Sequence, residues 1–94
     1  FQAVPSGIKS DQVFSYLSKL PGVKEVHDLH IWGMSTTETA LTVHLIMPQG
    51  HPGDSFFEEL NHELEKRFHI HHVTIQVELG NGETCCKLAS DEVV

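Results

Sequence analysis

Apolar residues recur at helical spacing in two stretches of the chain. The first stretch runs from Val13 to Leu20 and ends at Pro21-Gly22, and Ser10 or Asp11 is a candidate N-cap. The second covers residues 57–68, and residues 55 and 58, a Ser and a Glu, precede it with the spacing of a capping box. We therefore predict two amphipathic helices.

Three other stretches, residues 23–33, 39–47 and 73–79, are predicted strands. The second and third alternate between apolar and polar residues, as strands with one buried face do. In the first, the polar residues His27, Asp28 and His30 interrupt the apolar ones. A turn at Ser35-Thr36-Thr37 separates the first two, and Gly80-Asn81-Gly82 ends the third. The resulting order, α-β-β-α-β, predicts an α+β two-layer sandwich of ferredoxin-like type without its first strand, with both helices on one face of a three-stranded sheet. We expect the uncovered face to be apolar enough to require a partner.

The length of 94 residues fits a single domain. We interpret residues 1–9 as a linker, residues 10–80 as the domain and residues 81–94 as a flexible tail that contains two cysteines. Because the first residue is Phe1, we expect this chain to be a piece of a longer protein. No apolar run in the piece is long enough to span a bilayer.

The charge balance narrows the possible partners. Six Lys and Arg stand against thirteen Asp and Glu, a formal net charge of -7. Nucleic acid and anionic membrane surfaces favour basic patches, so neither is an expected partner. Eight histidines outnumber all the Lys and Arg together. Neutral imidazoles in an acidic chain favour divalent cations as ligands.

Two histidines are predicted to meet across the first two strands. A turn centred between Ser35 and Thr36 places His27 opposite His44, with Cβ atoms about 5 Å apart. Two imidazoles at that distance can share a zinc ion, whose bonds to nitrogen are about 2.0–2.1 Å long. Alternatively, each imidazole bonds a backbone carbonyl. Glu78 should face away from the helices, where it is either solvated or part of the same site.

Other candidate ligands lie later in the chain. His71 and Glu78 are seven residues apart, so one unbroken strand would place them on opposite faces, and they can share an ion only if the chain bends near His72. Cys85-Cys86 indicates free thiols and a reducing compartment rather than a disulfide scaffold. These thiolates are a candidate soft ligand pair for zinc, or two idle thiols.

Catalysis is not expected. The chain contains no His-Glu-x-x-His, no Cys-x-x-Cys and no glycine-rich phosphate loop. A domain this small also shows no evident substrate pocket in its sequence. We therefore expect a binding domain and not an enzyme.

Several segments together resemble the C-terminal cytoplasmic domain of the cation diffusion facilitator family of metal exporters. The resemblance extends over nearly the whole chain up to Glu78 and is most similar to the bacterial cobalt–zinc–cadmium resistance branch, the CzcD-like members. The segments that carry it are Leu20-Pro21-Gly22-Val23, Val26-His27-Asp28-Leu29-His30-Ile31-Trp32, Thr42-Val43-His44-Leu45, Phe68-His69-Ile70-His71-His72 and Val73-Thr74-Ile75-Gln76-Val77-Glu78.

The resemblance implies a metal-sensing domain on the cytoplasmic side of the inner membrane. It implies a V-shaped homodimer beneath the chain's own transmembrane part, which would carry out proton-coupled export of zinc, cobalt or cadmium. Gln76 stands where some bacterial members have histidine, which argues against a two-metal cluster here. The resemblance implies six metal ligands. His27, His44, His71 and Glu78 match ligand positions of the family, and Cys85 and Cys86 are analogous to a cysteine pair in the tail of some family members.

Two other functions compete with this interpretation. A small-molecule-binding regulatory module on the same fold would bind its ligand in the cleft between sheet and helices. A purely structural dimerisation domain would carry its histidines incidentally and would show no response to zinc.

Overall fold

The computed structural model describes residues 8–80 and has the predicted order of elements. The predicted tail, residues 81–94, and residues 1–7 of the predicted linker lie outside this range. Neither helix within the described range is long and apolar enough to cross a membrane. The elements are α1 (Ser10–Ser18), β1 (Glu25–Gly33), β2 (Thr39–Ile46), α2 (Asp54–Phe68) and β3 (His72–Glu78).

The helices begin without the side-chain caps that the sequence predicted. The N-cap of α1 is Lys9 and that of α2 is Gly53, and neither makes a side-chain capping hydrogen bond. The predicted caps are therefore wrong by one or two positions. Gly53 adopts a φ of 110°, a conformation that a residue with a side chain would disfavour. The N-cap of α2 therefore lies at this glycine, two residues before Ser55.

The three strands form one sheet in the order β1-β2-β3. β1 pairs with β2 in antiparallel fashion, and β2 pairs with β3 in parallel, with α2 as the crossover between them. Both helices contribute to the same core as the odd-numbered residues of β2, so they cover one face of the sheet. The predicted two-layer fold is confirmed. The buried core consists of Val13, Leu17, Val26, Ile31, Leu41, Val43, Leu45, Met47, Leu60, Leu64 and Ile70.

The β1–β2 hairpin contains an irregularity that the sequence did not predict. Near the turn, Gly33 pairs with Thr39, and the Met34 amide donates to the Glu38 carbonyl at 2.8 Å, so the turn is centred on Thr36. That register alone would place residue 27 opposite residue 45. The register shifts by one between His27 and His30, where Asp28 adopts a φ of 55°.

The face of the sheet that the helices leave open is more polar than predicted. Trp32, Ala40 and Ile46 are its apolar members, whereas imidazole, hydroxyl, amide and carboxylate groups occupy the remaining positions. The expectation of an apolar face was therefore wrong. The polar members of this face are Glu25, His27, His30, Thr42, His44, His72, Thr74, Gln76 and Glu78.

The exit from β3 depends on a glycine. Gly80 has a φ of 69°, and a Cβ at this position would collide with Cγ2 of the buried Ile46. We expect Gly80→Ala to lower the free energy of unfolding by about 2–4 kcal/mol, because left-handed strain and overpacking add together. Urea unfolding followed by tryptophan fluorescence measures this loss.

Gly50→Ala is the matched control for this substitution. Gly50 also has a positive φ, 92°, but a Cβ there would meet nothing within 4 Å. It should therefore show the backbone strain without the collision. Equal losses in the two variants would contradict the proposed collision with Ile46.

Candidate metal centre

Three side chains that can bind metal meet on the open face of the sheet. One donor atom from each of His27, His44 and Glu78 lies within 4.8 Å of the other two. Within residues 8–80, these three residues are the group of His, Cys, Asp and Glu side chains with this geometry. The sequence predicted all three as ligands, and the fold brings them together.

The strand registers explain why these residues meet. His27 lies directly opposite His44 in the antiparallel β1–β2 pair. In the parallel β2–β3 pair, Gln76 lies opposite His44, and Glu78 lies opposite Ile46. Because side chains alternate along a strand, Glu78 points to the same face as His44. The site therefore uses one side chain from each of the three strands.

The two imidazoles enclose the Glu78 carboxylate. Nε2 of His27 lies 3.0 Å from Oε1 of Glu78, and Nδ1 of His44 lies 2.9 Å from Oε2. The imidazole rings meet edge to face with centroids 5.2 Å apart. The Glu78 side chain is only 7% exposed, whereas those of His27 and His44 are 23% and 24% exposed. The Glu78 carboxylate is thus nearly buried, and the two partly exposed imidazole rings lie beside it.

The hydrogen bonds at this cluster are incomplete. Nε2 of His27 and Oε1 of Glu78 form a hydrogen bond, and the Gln76 amide donates to Oε2 of Glu78 at 3.0 Å. Nδ1 of His44 is buried beside the same carboxylate, yet no partner within residues 8–80 satisfies hydrogen-bond geometry for it. Nδ1 of His44 and Oε2 of Glu78 lie 2.9 Å apart without the alignment of a hydrogen bond. A buried nitrogen of this kind is costly unless an ion or a proton satisfies it.

This donor set fits a zinc ion. Donor atoms arranged tetrahedrally around zinc at about 2.0–2.2 Å lie about 3.3–3.6 Å from one another. The two carboxylate–imidazole separations, 2.9 and 3.0 Å, are within a few tenths of an ångström of that range. Two imidazoles and a carboxylate would leave a fourth coordination position for another ligand.

A second carboxylate at the cluster was assigned no ligand role from the sequence. Oδ2 of Asp28 lies 3.3 Å from Nδ1 of His44 and 3.4 Å from Nδ1 of His27. The missing signal was the bulge, because a regular strand would direct residue 28 to the opposite face from residue 27. The sequence shows that Asp28 follows the candidate ligand His27, but it does not show to which face of the sheet the Asp28 side chain points.

His71 does not join the cluster within one chain. β3 pairs with β2 without interruption from His72 to Glu78, so the bend that a shared ion requires is absent there. The His71 backbone amide donates to the Thr39 carbonyl, and Nδ1 of His71 accepts a hydrogen bond from the Thr39 amide. Seven residues of strand separate His71 from Glu78 by about 23 Å. Its part in metal binding stays a prediction, and Cys85 and Cys86 lie outside the described residues.

Comparison with known proteins identifies the family. The family described as "Cation efflux protein, cytoplasmic domain" matches residues 5–79. The chain therefore belongs to this family, which confirms the resemblance to the cation diffusion facilitators. It is 38% identical over 83 residues to the metal cation efflux system protein CzcD of Cupriavidus metallidurans, covering 87% of this chain and 26% of that protein.

A human relative and a solved structure extend the comparison. The human proton-coupled zinc antiporter SLC30A2 is 31% identical over 77 residues, which cover 82% of this chain and 21% of that protein. The metal-bound C-terminal domain of the CzcD transporter from C. metallidurans superposes with a TM-score of 0.67 at 37% identity, covering 77% of this chain and all of that one. This chain thus spans about a quarter, or less, of each of these two curated relatives.

Proposed function

We propose that this chain is the metal-sensing cytoplasmic domain of a divalent-cation exporter and that it regulates transport without catalysing a reaction itself. The cluster of His27, His44 and Glu78 supports this proposal most directly, because it combines a buried carboxylate with an imidazole nitrogen that has no hydrogen-bond partner among residues 8–80. Similarity to a metal-bound domain of a transporter adds support. Export itself would belong to the membrane-spanning part of the full-length protein.

Zinc is the ion we propose, with cadmium and cobalt as alternatives. The relatives differ in their ions, since the human protein SLC30A10, 34% identical over 80 residues, is named a calcium/manganese antiporter. Family membership therefore leaves the ion open, and the donor chemistry selects among the candidates. Calcium favours six to eight oxygen ligands, whereas imidazole suits zinc and other late transition metals.

Regulation would follow from binding linked to dimer geometry. Each chain carries a formal net charge of -7, so two copies side by side repel one another. An ion that binds better in the closed dimer shifts the equilibrium only by its differential affinity. Zinc at 100 times its dissociation constant stabilises the binding state by about 2.7 kcal/mol. That energy is sufficient to close a dimer whose open and closed forms are nearly balanced.

Small-angle X-ray scattering of the 94-residue chain tests this proposal. We expect stoichiometric zinc to reduce the radius of gyration of the dimer and magnesium to leave it unchanged, because magnesium prefers oxygen ligands and retains its water. Glu78→Gln should abolish the zinc response at the same concentration, since it replaces the anionic ligand by a neutral amide of equal size. A zinc-independent dimer with no change in scattering would instead support the purely structural domain.

A further inference from the structure

The core is buried more completely at one edge of the sheet than at the other. On the edge strand β1, Val26 and Ile31 are only 6% and 7% exposed. On the opposite edge strand, β3, the apolar residues Val73, Ile75 and Val77 pack against the core but stay only partly buried. The two helices therefore leave the β3 edge of the core incompletely covered.

A groove runs along this uncovered edge. It has a volume of about 360 Å³ and lies between β3 and α2, whose Phe57 and Asn61 line it together with His51 and the three apolar side chains of β3. None of these lining residues is an Asp, Glu, Lys or Arg. Nδ1 of His51 already accepts a hydrogen bond from the Gly53 amide at 3.0 Å. The groove therefore suits an apolar occupant better than a charged one.

β3 also presents free backbone groups along the groove. Within residues 8–80 it pairs with β2 alone, and its register runs from His72 to Glu78 without a shift. Alternate N–H and C=O groups of an edge strand face away from its partner, where another strand can pair with them. Proteins commonly protect such edges with a bulge, a Lys or a Pro. β1 has a bulge at Asp28, whereas β3 has none of the three, so its edge is open to a further strand.

The residues that follow β3 begin with a hairpin signal. Asn81-Gly82 is a dipeptide that strongly favours a two-residue turn between antiparallel strands. Gly80, immediately before it, has a φ of 69°, so the backbone already leaves the extended conformation there. Residues 83–89 equal β3 in length. A hairpin at this point would return them along the free edge of β3, because β2 occupies the other edge.

The residue pattern of this segment matches the two faces of the sheet. Thr84, Cys86 and Leu88 carry no charge, and they alternate with a set that contains Glu83 and Lys87. Because side chains alternate across a strand, one set would join the groove and the other would join the open face. Hydrophobic matching sets the register of a strand. It places the uncharged set over the apolar groove and the charged set on the polar face.

We propose that residues 83–89 fold back as a fourth strand on the β3 edge, with Cys86 and Leu88 filling the groove beside Ile75 and Val77. The added strand would complete the core where the helices leave it exposed, and it would pair the free backbone groups of β3. The proposal goes beyond the metal-sensing function and needs no metal ion, so either can fail without the other.

Hydrogen exchange of the 94-residue chain, followed by NMR in the presence of a chelator, tests this proposal. We expect slow exchange at every amide of residues 73–77, because both edges of β3 are then paired, whereas an open edge protects only alternate amides. Leu88→Asp should lower the protection of the amides that face away from β2 by about tenfold or more, since it places a charge in the groove. Ala89→Asp is the matched control, because residue 89 would point to the open face, and it should leave this protection nearly unchanged.

The two adjacent thiols provide a second readout. With the chelator present, the remaining thiol of Cys85→Ser should react with an alkylating reagent about tenfold more slowly than that of Cys86→Ser, because the groove buries Cys86 alone. Protection at alternate amides, with equal alkylation rates, would overturn the proposal. It would also be overturned by protection that falls on dilution, which would assign the edge to a second copy of the chain, or by a co-purified small molecule in the groove, detected by native mass spectrometry.

Discussion

Zinc should raise the melting temperature of this chain by about 10–20 °C when it is held at 100 times its dissociation constant. At that ratio, binding adds about 2.7 kcal/mol to the folded state, and 1 kcal/mol shifts the melting temperature of a domain of this size by about 4–8 °C. The double variant His27→Ala/His44→Ala should lose the whole shift, because it removes both imidazoles of the cluster. Differential scanning fluorimetry at fixed protein concentration measures the effect.

The control for this experiment removes two imidazoles elsewhere. His62 lies on the exposed side of α2, and His72 is half exposed and pairs with Glu38 at 3.0 Å. The variant His62→Ala/His72→Ala should retain the zinc shift of the wild type. If both double variants lost the shift equally, general histidine content rather than the cluster would explain the binding.

Apolar periodicity was sufficient to predict the fold. In α1 and α2 the apolar residues recur at helical spacing, and in β2 and β3 they alternate with polar ones. Both patterns follow from which side chains are buried, so they can be recognised in the sequence. The helix caps were mispredicted because the competing residues, Lys9 and Gly53, act through backbone conformation alone. A capping-box pattern at Ser55 and Glu58 carries no information about a glycine two residues earlier.

The opposed pair His27 and His44 was predicted correctly from a turn that was placed half a residue too early. The observed turn alone would have moved His27 opposite Leu45, and the bulge at Asp28 restores the predicted pair. A bulge adds one residue to one strand. In β1, three of the four residues 27–30 are polar, so the sequence shows no regular alternation that the extra residue would interrupt. The same feature explains why the sequence did not indicate that the Asp28 carboxylate approaches both imidazoles.

The polarity of the open face also has a physical explanation. Leu41, Val43 and Leu45, the apolar residues that alternate along β2, all point to the helices. The opposite face carries histidines, threonines, Gln76 and the buried Glu78 beside three apolar residues, Trp32, Ala40 and Ile46. A surface of this composition is better suited to binding ions than to forming an apolar dimer core.

Removing a single buried leucine should have the largest effect on stability. Leu64 of α2 is fully buried in the core between the helices and the sheet. Leu64→Ala should lower the free energy of unfolding by about 2–5 kcal/mol, because it loses buried methyl groups and leaves a cavity. In the absence of zinc, the melting temperature should then fall by roughly 10 °C or more. Leu79→Ala, the same deletion at a side chain that is 49% exposed, should cost far less.

Zinc should offset much of this loss in Leu64→Ala. The cluster of His27, His44 and Glu78 lies on the face of the sheet opposite α2, and each of the three residues belongs to a strand. A cavity beneath α2 therefore leaves the ligand geometry intact, and the same 2.7 kcal/mol of binding energy, at about 100 times the dissociation constant, remains available. The melting temperature of the variant should rise with zinc by about as much as that of the wild type. A markedly smaller rise would show that the core on one face of the sheet and the cluster on the other are energetically coupled through the strands.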